Sequence, residues 1–93
     1  MKTITKSFLE AQVLRLNKLT NNPEQRYVNG IAQIGCYHLS GAYGGYALHQ
    51  MSNSGGGVSE PLYTGHISKR ELSDRIFAFI RGIETAQTFP LVS

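Results

Sequence analysis

Ala42-Tyr43-Gly44-Gly45-Tyr46 lies near the middle of the chain, and its reading decides the fold. The residues before it alternate: Cys36, His38 and Ser40 fall on one face of an extended segment, Tyr37 and Leu39 on the other. Tyr46 to Met51 is a second extended candidate. Tyr43-Gly44-Gly45 between them reads as a three-residue hairpin loop with a glycine in the left-handed position. Gly55-Gly56-Gly57 follows ten residues later and reads as part of a flexible connection, Ser52 to Gly57. Glycine clusters this close to tyrosines suit a binding surface. They equally suit a plain hairpin turn followed by a mobile loop.

On the N-terminal side, Ser7-Phe8-Leu9-Glu10 has the form of a capping box. Leu9, Val13 and Leu16 then recur at helical spacing, with Phe8 and Leu19 widening the stripe, and Asn21-Asn22-Pro23 ends the helix. Arg15 and Lys18 lie off the stripe and read as solvated or as facing a partner subunit. Pro23 to Gly35 reads as a loop with Asn29-Gly30 as a turn signal and a short strand at Ile31–Ile34. On the C-terminal side, Val58 to Ile67 reads as an irregular edge strand interrupted by Pro61. Ser68-Lys69-Arg70-Glu71 is a second capping box. It opens a helix with Leu72, Ile76, Phe79, Ile80 and Ile83 on one face. Residues 88–93 read as a loose tail. The expected fold is α+β: an N-terminal helix, a short antiparallel sheet made of a hairpin and an edge strand, and a C-terminal helix.

With 93 residues the chain is one small domain, 1–93. A chain of this size buries only about two-thirds of its unfolded surface, so partner subunits are the expected source of added stability. The single Cys36 allows no internal disulfide and fits a reducing compartment, and no cluster of Cys and His has zinc-site spacing. The formal charge of +3 is spread along the chain, which disfavours nucleic acid as a partner. There is no apolar run long enough for a membrane span and no signal peptide, so the expected location is cytoplasmic.

His38, His49 and His66 read as isolated, and no Gly-x-Ser-x-Gly elbow or recognisable carboxylate pair is present, so an enzyme is not expected. Phosphate binding is better supported. The N-terminus of the second helix offers unpaired N–H groups and the positive dipole end. Lys69 and Arg70 at that end oppose the dipole unless an anion, or Glu71 and Asp74 in the same turn, offsets them. Arg75 joins a phosphate clamp or pairs with Glu71. Tyr43 and Tyr46 are candidates to stack on a base beside the bare backbone of Gly44 and Gly45, and Asn53 is a candidate polar contact to a base edge or ribose. Neither glycine cluster is a P-loop or a dinucleotide fingerprint.

Three stretches carry a resemblance: Tyr37 to Gly45, Met51-Ser52-Asn53 with Gly55-Gly56-Gly57, and Ser68-Lys69-Arg70-Glu71-Leu72. Together with Leu14-Arg15-Leu16-Asn17-Lys18-Leu19-Thr20, they look like a group of short phage-encoded proteins. Within that group the chain is similar to the Thoeris anti-defence proteins of the first type, sponges for immune signalling nucleotides. The similarity runs from about Phe8 to Glu84 and consists of common residues. It implies a homo-oligomer, by resemblance a hexamer, with pockets between subunits. These hold a cyclic ADP-ribose isomer or a cyclic oligonucleotide without cleaving it, in the cytoplasm of an infected bacterium. The resemblance puts the base-stacking aromatic at Tyr43, a polar contact at Asn53 and a phosphate-binding arginine at Arg70. The family's second arginine falls near Asp74 here, so either Arg75 substitutes or the ligand differs.

The expected function is therefore anti-defence sequestration of a cyclic nucleotide by Tyr43, Gly44, Gly45, Asn53, Lys69, Arg70 and Arg75, with no cofactor and no metal. The alternative from another class is a small phage inhibitor that binds a host defence or regulatory protein through its exposed tyrosines.

Overall fold

A computed structural model describes residues 3–88. The order is α1 (Lys6–Leu19), β1 (Tyr27–Val28), β2 (Ile31–Ala32), β3 (Tyr37–Ala42), β4 (Gly45–Met51), β5 (Val58–Ser59) and α2 (Lys69–Thr88). Strands β3, β4 and β5 form an antiparallel sheet with β4 in the centre, and β1 and β2 form a separate small hairpin. The expected α+β arrangement of two helices around a small antiparallel sheet is present.

Both helices pack on one face of the sheet. Leu9, Val13 and Leu16 of α1 meet Leu72, Ile76 and Ile80 of α2 over Tyr37 and Leu48, all buried. Tyr37 also meets Phe79 edge to face, with ring centroids 6.0 Å apart. Each buried aliphatic side chain contributes about 1.5–3 kcal/mol, so this cluster outweighs any cap or surface ion pair. Arg15, expected to be solvated or to face a partner, instead reaches Glu84 of α2 at 2.8 Å. That pair is partly exposed and contributes under about 1 kcal/mol.

Four local expectations are corrected. The N-cap of α1 is Thr5, whose hydroxyl accepts from Phe8 N–H at 3.1 Å, and Ser7 lies inside the helix. Ile4, just before the cap, packs against the cluster that contains Leu9, a hydrophobic staple that fixes the earlier start. Phe8 is correspondingly half exposed and does not widen the buried stripe. The segment expected to hold one strand at Ile31–Ile34 is a hairpin, with Tyr27 opposite Ala32 and Asn29-Gly30 at its turn. Tyr63, expected in an edge strand, is an exposed turn residue at φ 53°. Thr88 closes α2, and the rest of the expected tail lies outside the described residues.

The fourth correction concerns the central hairpin. Ala42 pairs with Gly45, so the loop has two residues, Tyr43 and Gly44. Both have positive φ, 53° and 74°, the pattern of a type I′ turn. The C-terminus of α1 is equally defined. Asn21 takes φ 56°, Asn22 N–H bonds Asn17 C=O at 2.9 Å and Asn21 N–H bonds Lys18 C=O at 3.3 Å, a Schellman closure with Pro23 beyond it.

Candidate ligand cleft and histidine row

The tip of the β3–β4 hairpin is held against the start of α2 by main-chain contacts. Tyr46 and Ile67 exchange two hydrogen bonds, 2.8 and 2.9 Å, across the β4 edge that β5 does not reach. A Cβ on Gly45 would stand 2.8 Å from Ile67 O and 3.0 Å from His66 C, so this approach requires glycine. The segment entering α2 is thereby laid beside the hairpin tip. An open cleft of about 720 Å³ results, bordered by Gly44, Gly45, Ser68 and Lys69, with Lys6 from α1 on its far side. None of the described residues lining it is acidic. Ser68 caps α2 as expected: its hydroxyl accepts from Glu71 N–H at 3.2 Å and donates to Glu71 Oε1 at 2.9 Å.

The expected site residues divide. Gly44, Gly45 and Lys69 line the cleft; Tyr43 stands 97% exposed at the hairpin tip, is not among the lining residues and meets the His66 ring. Arg70 and Arg75 lie exposed on α2 and are not among the residues lining the cleft. The alternative pairing of Arg75 with Glu71 does not form: the ion pairs among the described residues are Arg15–Glu84 and Arg81–Glu84. Asn53 lies past the opposite end of β4, about 20 Å along the strand from Gly45. Its Oδ1 accepts from both Gly55 N–H and Gly57 N–H at 2.9 Å, while Ser52 N–H bonds Gly57 C=O at 2.8 Å. Ser52–Gly57 is therefore a closed turn built around the Asn53 side chain, and within one chain it does not cover the cleft.

The opposite sheet face, away from the helices, carries a feature that sequence reading missed. His38 and His49 are direct cross-strand partners with ring centroids 5.6 Å apart. His49 then meets His66 at 6.0 Å, and His66 meets Tyr43 at 5.8 Å, all edge to face. Ser40 Oγ lies 3.0 Å from His66 Nε2, a hydroxyl–imidazole pair. The signal was present in the register. A two-residue loop pairs residue 38 with residue 49, whereas a three-residue loop would have put the second histidine on the other face.

His38 is buried, and neither ring nitrogen has a hydrogen-bond partner among the described residues. Its pKa is pushed down to about 4, by burial first and then by the positive charges of Arg26 and His49, against a small opposing pull from the Leu39 backbone. His49 is lowered too, by burial first, with Glu60 opposing and His66 and Arg26 adding to the fall. His38 is therefore neutral near pH 7. Burial raises the pKa of the Cys36 thiol, which is therefore protonated and unreactive. Among the described residues no group of three His, Cys, Asp or Glu is placed to hold a metal ion. No described helix is long and apolar enough to cross a membrane.

No family model, curated protein or solved structure matches the chain. What the site can do therefore rests on its geometry. The cleft offers two lysines, glycine main chain and a helix N-terminus, a set suited to an anion. Tyr43, next to Gly44 in the chain, adds a 97% exposed aromatic ring whose neighbour is His66, a ring suited to a base.

Proposed function

We propose that this chain binds and sequesters a small phosphate-bearing nucleotide, a cyclic one, in the cleft between the β3–β4 hairpin tip and the start of α2. Lys6 and Lys69 would hold the phosphate, and Tyr43 would stack on the base. One observation carries the reading. Tyr43 takes φ 53° at the first position of a type I′ turn, where asparagine is the favoured residue, and its ring is 97% exposed. Left-handed geometry at a bulky residue costs about 1–2 kcal/mol, and a ring this exposed, with its edge contact to His66, recovers little of that within the chain. Such a residue is best explained by a ligand or partner that uses the ring.

The resemblance to the phage Thoeris anti-defence sponges agrees with this chemistry and supplies the biological frame. In that frame the protein is a homo-oligomer in the cytoplasm of an infected bacterium that removes an immune signal, a cyclic ADP-ribose isomer or a cyclic oligonucleotide, without cleaving it. The cation assignment keeps Lys69, adds Lys6 and drops Arg70 and Arg75, which are not among the residues bordering the cleft.

Native mass spectrometry with a panel of cyclic ADP-ribose isomers and cyclic di- and trinucleotides tests the reading. Uptake of intact ligand masses, lost in Lys69→Ala, supports it. Uptake of nothing, or release of cleaved product, overturns it. The second reading, direct inhibition of a host protein, is favoured by the β1–β2 hairpin, where Tyr27, Val28 and Ile31 are exposed together. A stoichiometric host protein captured in place of a nucleotide would establish it.

A further inference from the structure

The outer edge of β3 is open over a short, bounded length. Tyr37 turns both main-chain groups away from β4, where Asn17 receives them, while Cys36 C=O accepts from Met51 N–H of the β4 strand. Alternation along an antiparallel strand then turns the N–H and C=O of Leu39 and Gly41 outward as well. The bond between Tyr46 and Ile67 on the far edge of β4 gives the same phase, because Tyr46 is the partner of Gly41. Among the described residues nothing bonds the outward groups of Leu39 or Gly41. The open length is closed by Asn17 at one end and by the Tyr43 turn at the other.

Edges of this kind are normally protected by charges, proline or a bulge. Here β3 has none of these. No Asp, Glu, Lys or Arg occurs between Arg26 and Glu60, and the β3–β4 register runs without a bulge. In a chain of net charge +3, this is a neutral edge that a second neutral edge can approach.

We propose that two copies of this chain join antiparallel through β3, with Ser40 opposite Ser40 on the two-fold axis, making one continuous six-stranded sheet. This register is selected by the edge itself. Centring on Leu39 would oppose Gly41 to Tyr37, whose groups Asn17 already occupies. Centring on Gly41 would oppose Leu39 to Tyr43, which is out of the extended region at φ 53°. Only the Ser40 register uses all four open residues, two from each copy. It also carries the hairpin tip of one copy to the level of the other's Tyr37, beside a cavity of about 320 Å³ bordered by Val13, Leu14, Arg26 and Tyr37. Two cations and two carboxylates border that cavity, Lys6 and Arg26 with Glu10 and Glu24, so a neutral tip meets no net charge there. The pairing names a surface for the homo-oligomer of the preceding reading, and it stands whatever the ligand is.

Two measurements on the intact protein decide it. Ser40→Cys is expected to form an inter-chain disulfide under mild oxidation, because residues facing across such a pair lie within bridging distance. Ala42→Cys is expected to form none, since its copies would be separated by about 13 Å. Hydrogen exchange on the unmodified protein should show the Leu39 and Gly41 amides protected at high concentration and exchanging at least about tenfold faster on dilution, while Tyr37 stays protected. Fast exchange of Leu39 and Gly41 at every concentration overturns the pairing, as does cross-linking through Ala42→Cys in preference to Ser40→Cys. Saturation of the edge by a foreign extended segment, leaving the chain monomeric, overturns it too. Nucleotide uptake on the same samples is a separate readout, so loss of the pairing with uptake intact leaves the ligand reading standing.

Discussion

Asn17 of α1 takes the place of a strand beside Tyr37. Its Nδ2 donates to Tyr37 C=O at 2.9 Å and its Oδ1 accepts from Tyr37 N–H at 2.8 Å, with the asparagine 1% exposed. A helix side chain thus satisfies both main-chain groups at the start of an edge strand and sets α1 against β3. Asn17→Ala would leave two buried main-chain groups unpaired and remove the contact that registers the helix on the sheet. The expected loss is about 2–4 kcal/mol, read as a lowered urea midpoint at unchanged m-value. A loss below about 1 kcal/mol would mean that water replaces the amide at no penalty.

The histidine row predicts a pH dependence of stability. His38 has its folded pKa depressed to about 4, below the 6.5 of the unfolded chain. Above pH 6.5 it is neutral in both states and contributes no pH dependence. Between 6.5 and about 4 the unfolded chain binds a proton that the native ring refuses, so stability falls as pH falls. Below about pH 4 both states are protonated and the decline from this group ends. His49 is shifted in the same direction and adds to the slope. Arg26 and His66 sharpen the effect on His49 and Glu60 softens it. The expected loss between pH 7.5 and 4 is on the order of 3 kcal/mol. Denaturant titrations at the two pH values check it, and a His38→Phe variant should show a flatter profile. Equal stability at both would require the rings to be hydrated or paired.

The helices were legible in the sequence because local signals agree there: the Ser68–Glu71 box and the Leu72, Ile76, Ile80 stripe need no tertiary information. The sequence points to Ser7 as the cap of α1, and the observed cap Thr5 goes with the docking of Ile4 on the core, which the local sequence does not reveal. The sheet was legible as a hairpin, but its register was not. Tyrosine is an unfavourable residue for φ 53°, so the two-residue turn was disguised and the histidines were read as unrelated. The cleft was half legible. Gly44, Gly45 and Lys69 meet because Ile67 bonds Tyr46, a long-range pairing with no local signature. Asn53 was assigned to the same site from its nearby loop and from the resemblance, and within one chain an intervening strand carries it to the other end of the sheet.

Gly45 and Gly44 are adjacent, yet alanine should act on them differently. At Gly45 an added Cβ would meet the Ile67 and His66 main chain at 2.8–3.1 Å, and main chain cannot rotate away. Gly45→Ala should therefore push the α2 start off the hairpin and destabilise by about 1–3 kcal/mol, lowering Tm by roughly 4–8 °C per kcal/mol. At Gly44 nothing lies within 4 Å, and the penalty is only that of φ 74°. Gly44→Ala should lose about 1–2 kcal/mol while leaving the cleft geometry intact. The variants are separated by the Ile67 amide, whose protection from hydrogen exchange should collapse in Gly45→Ala and persist in Gly44→Ala. Loss of that protection in both would locate the tether in the turn itself.

Tyr43→Asn sets stability against function at one position. Asparagine before Gly44 is the favoured type I′ pair, so the substitution relieves the left-handed strain at φ 53°. The tyrosine ring gives up little intrachain packing, because the residue is 97% exposed and its resolved neighbour is His66 at 5.8 Å. Thermal stability at low protein concentration should rise by about 1 kcal/mol. Ligand uptake should move the other way: losing a base-stacking ring weakens binding by about 1–3 kcal/mol, roughly 5- to 150-fold in Kd. Tyr43→Phe, which keeps the ring and the strain, should retain affinity and gain no stability. Calorimetric melting and nucleotide titration on the three proteins measure both quantities. If Tyr43→Asn melts higher and binds as well as the unmodified chain, the ring has no ligand role and its strain must serve a protein contact instead.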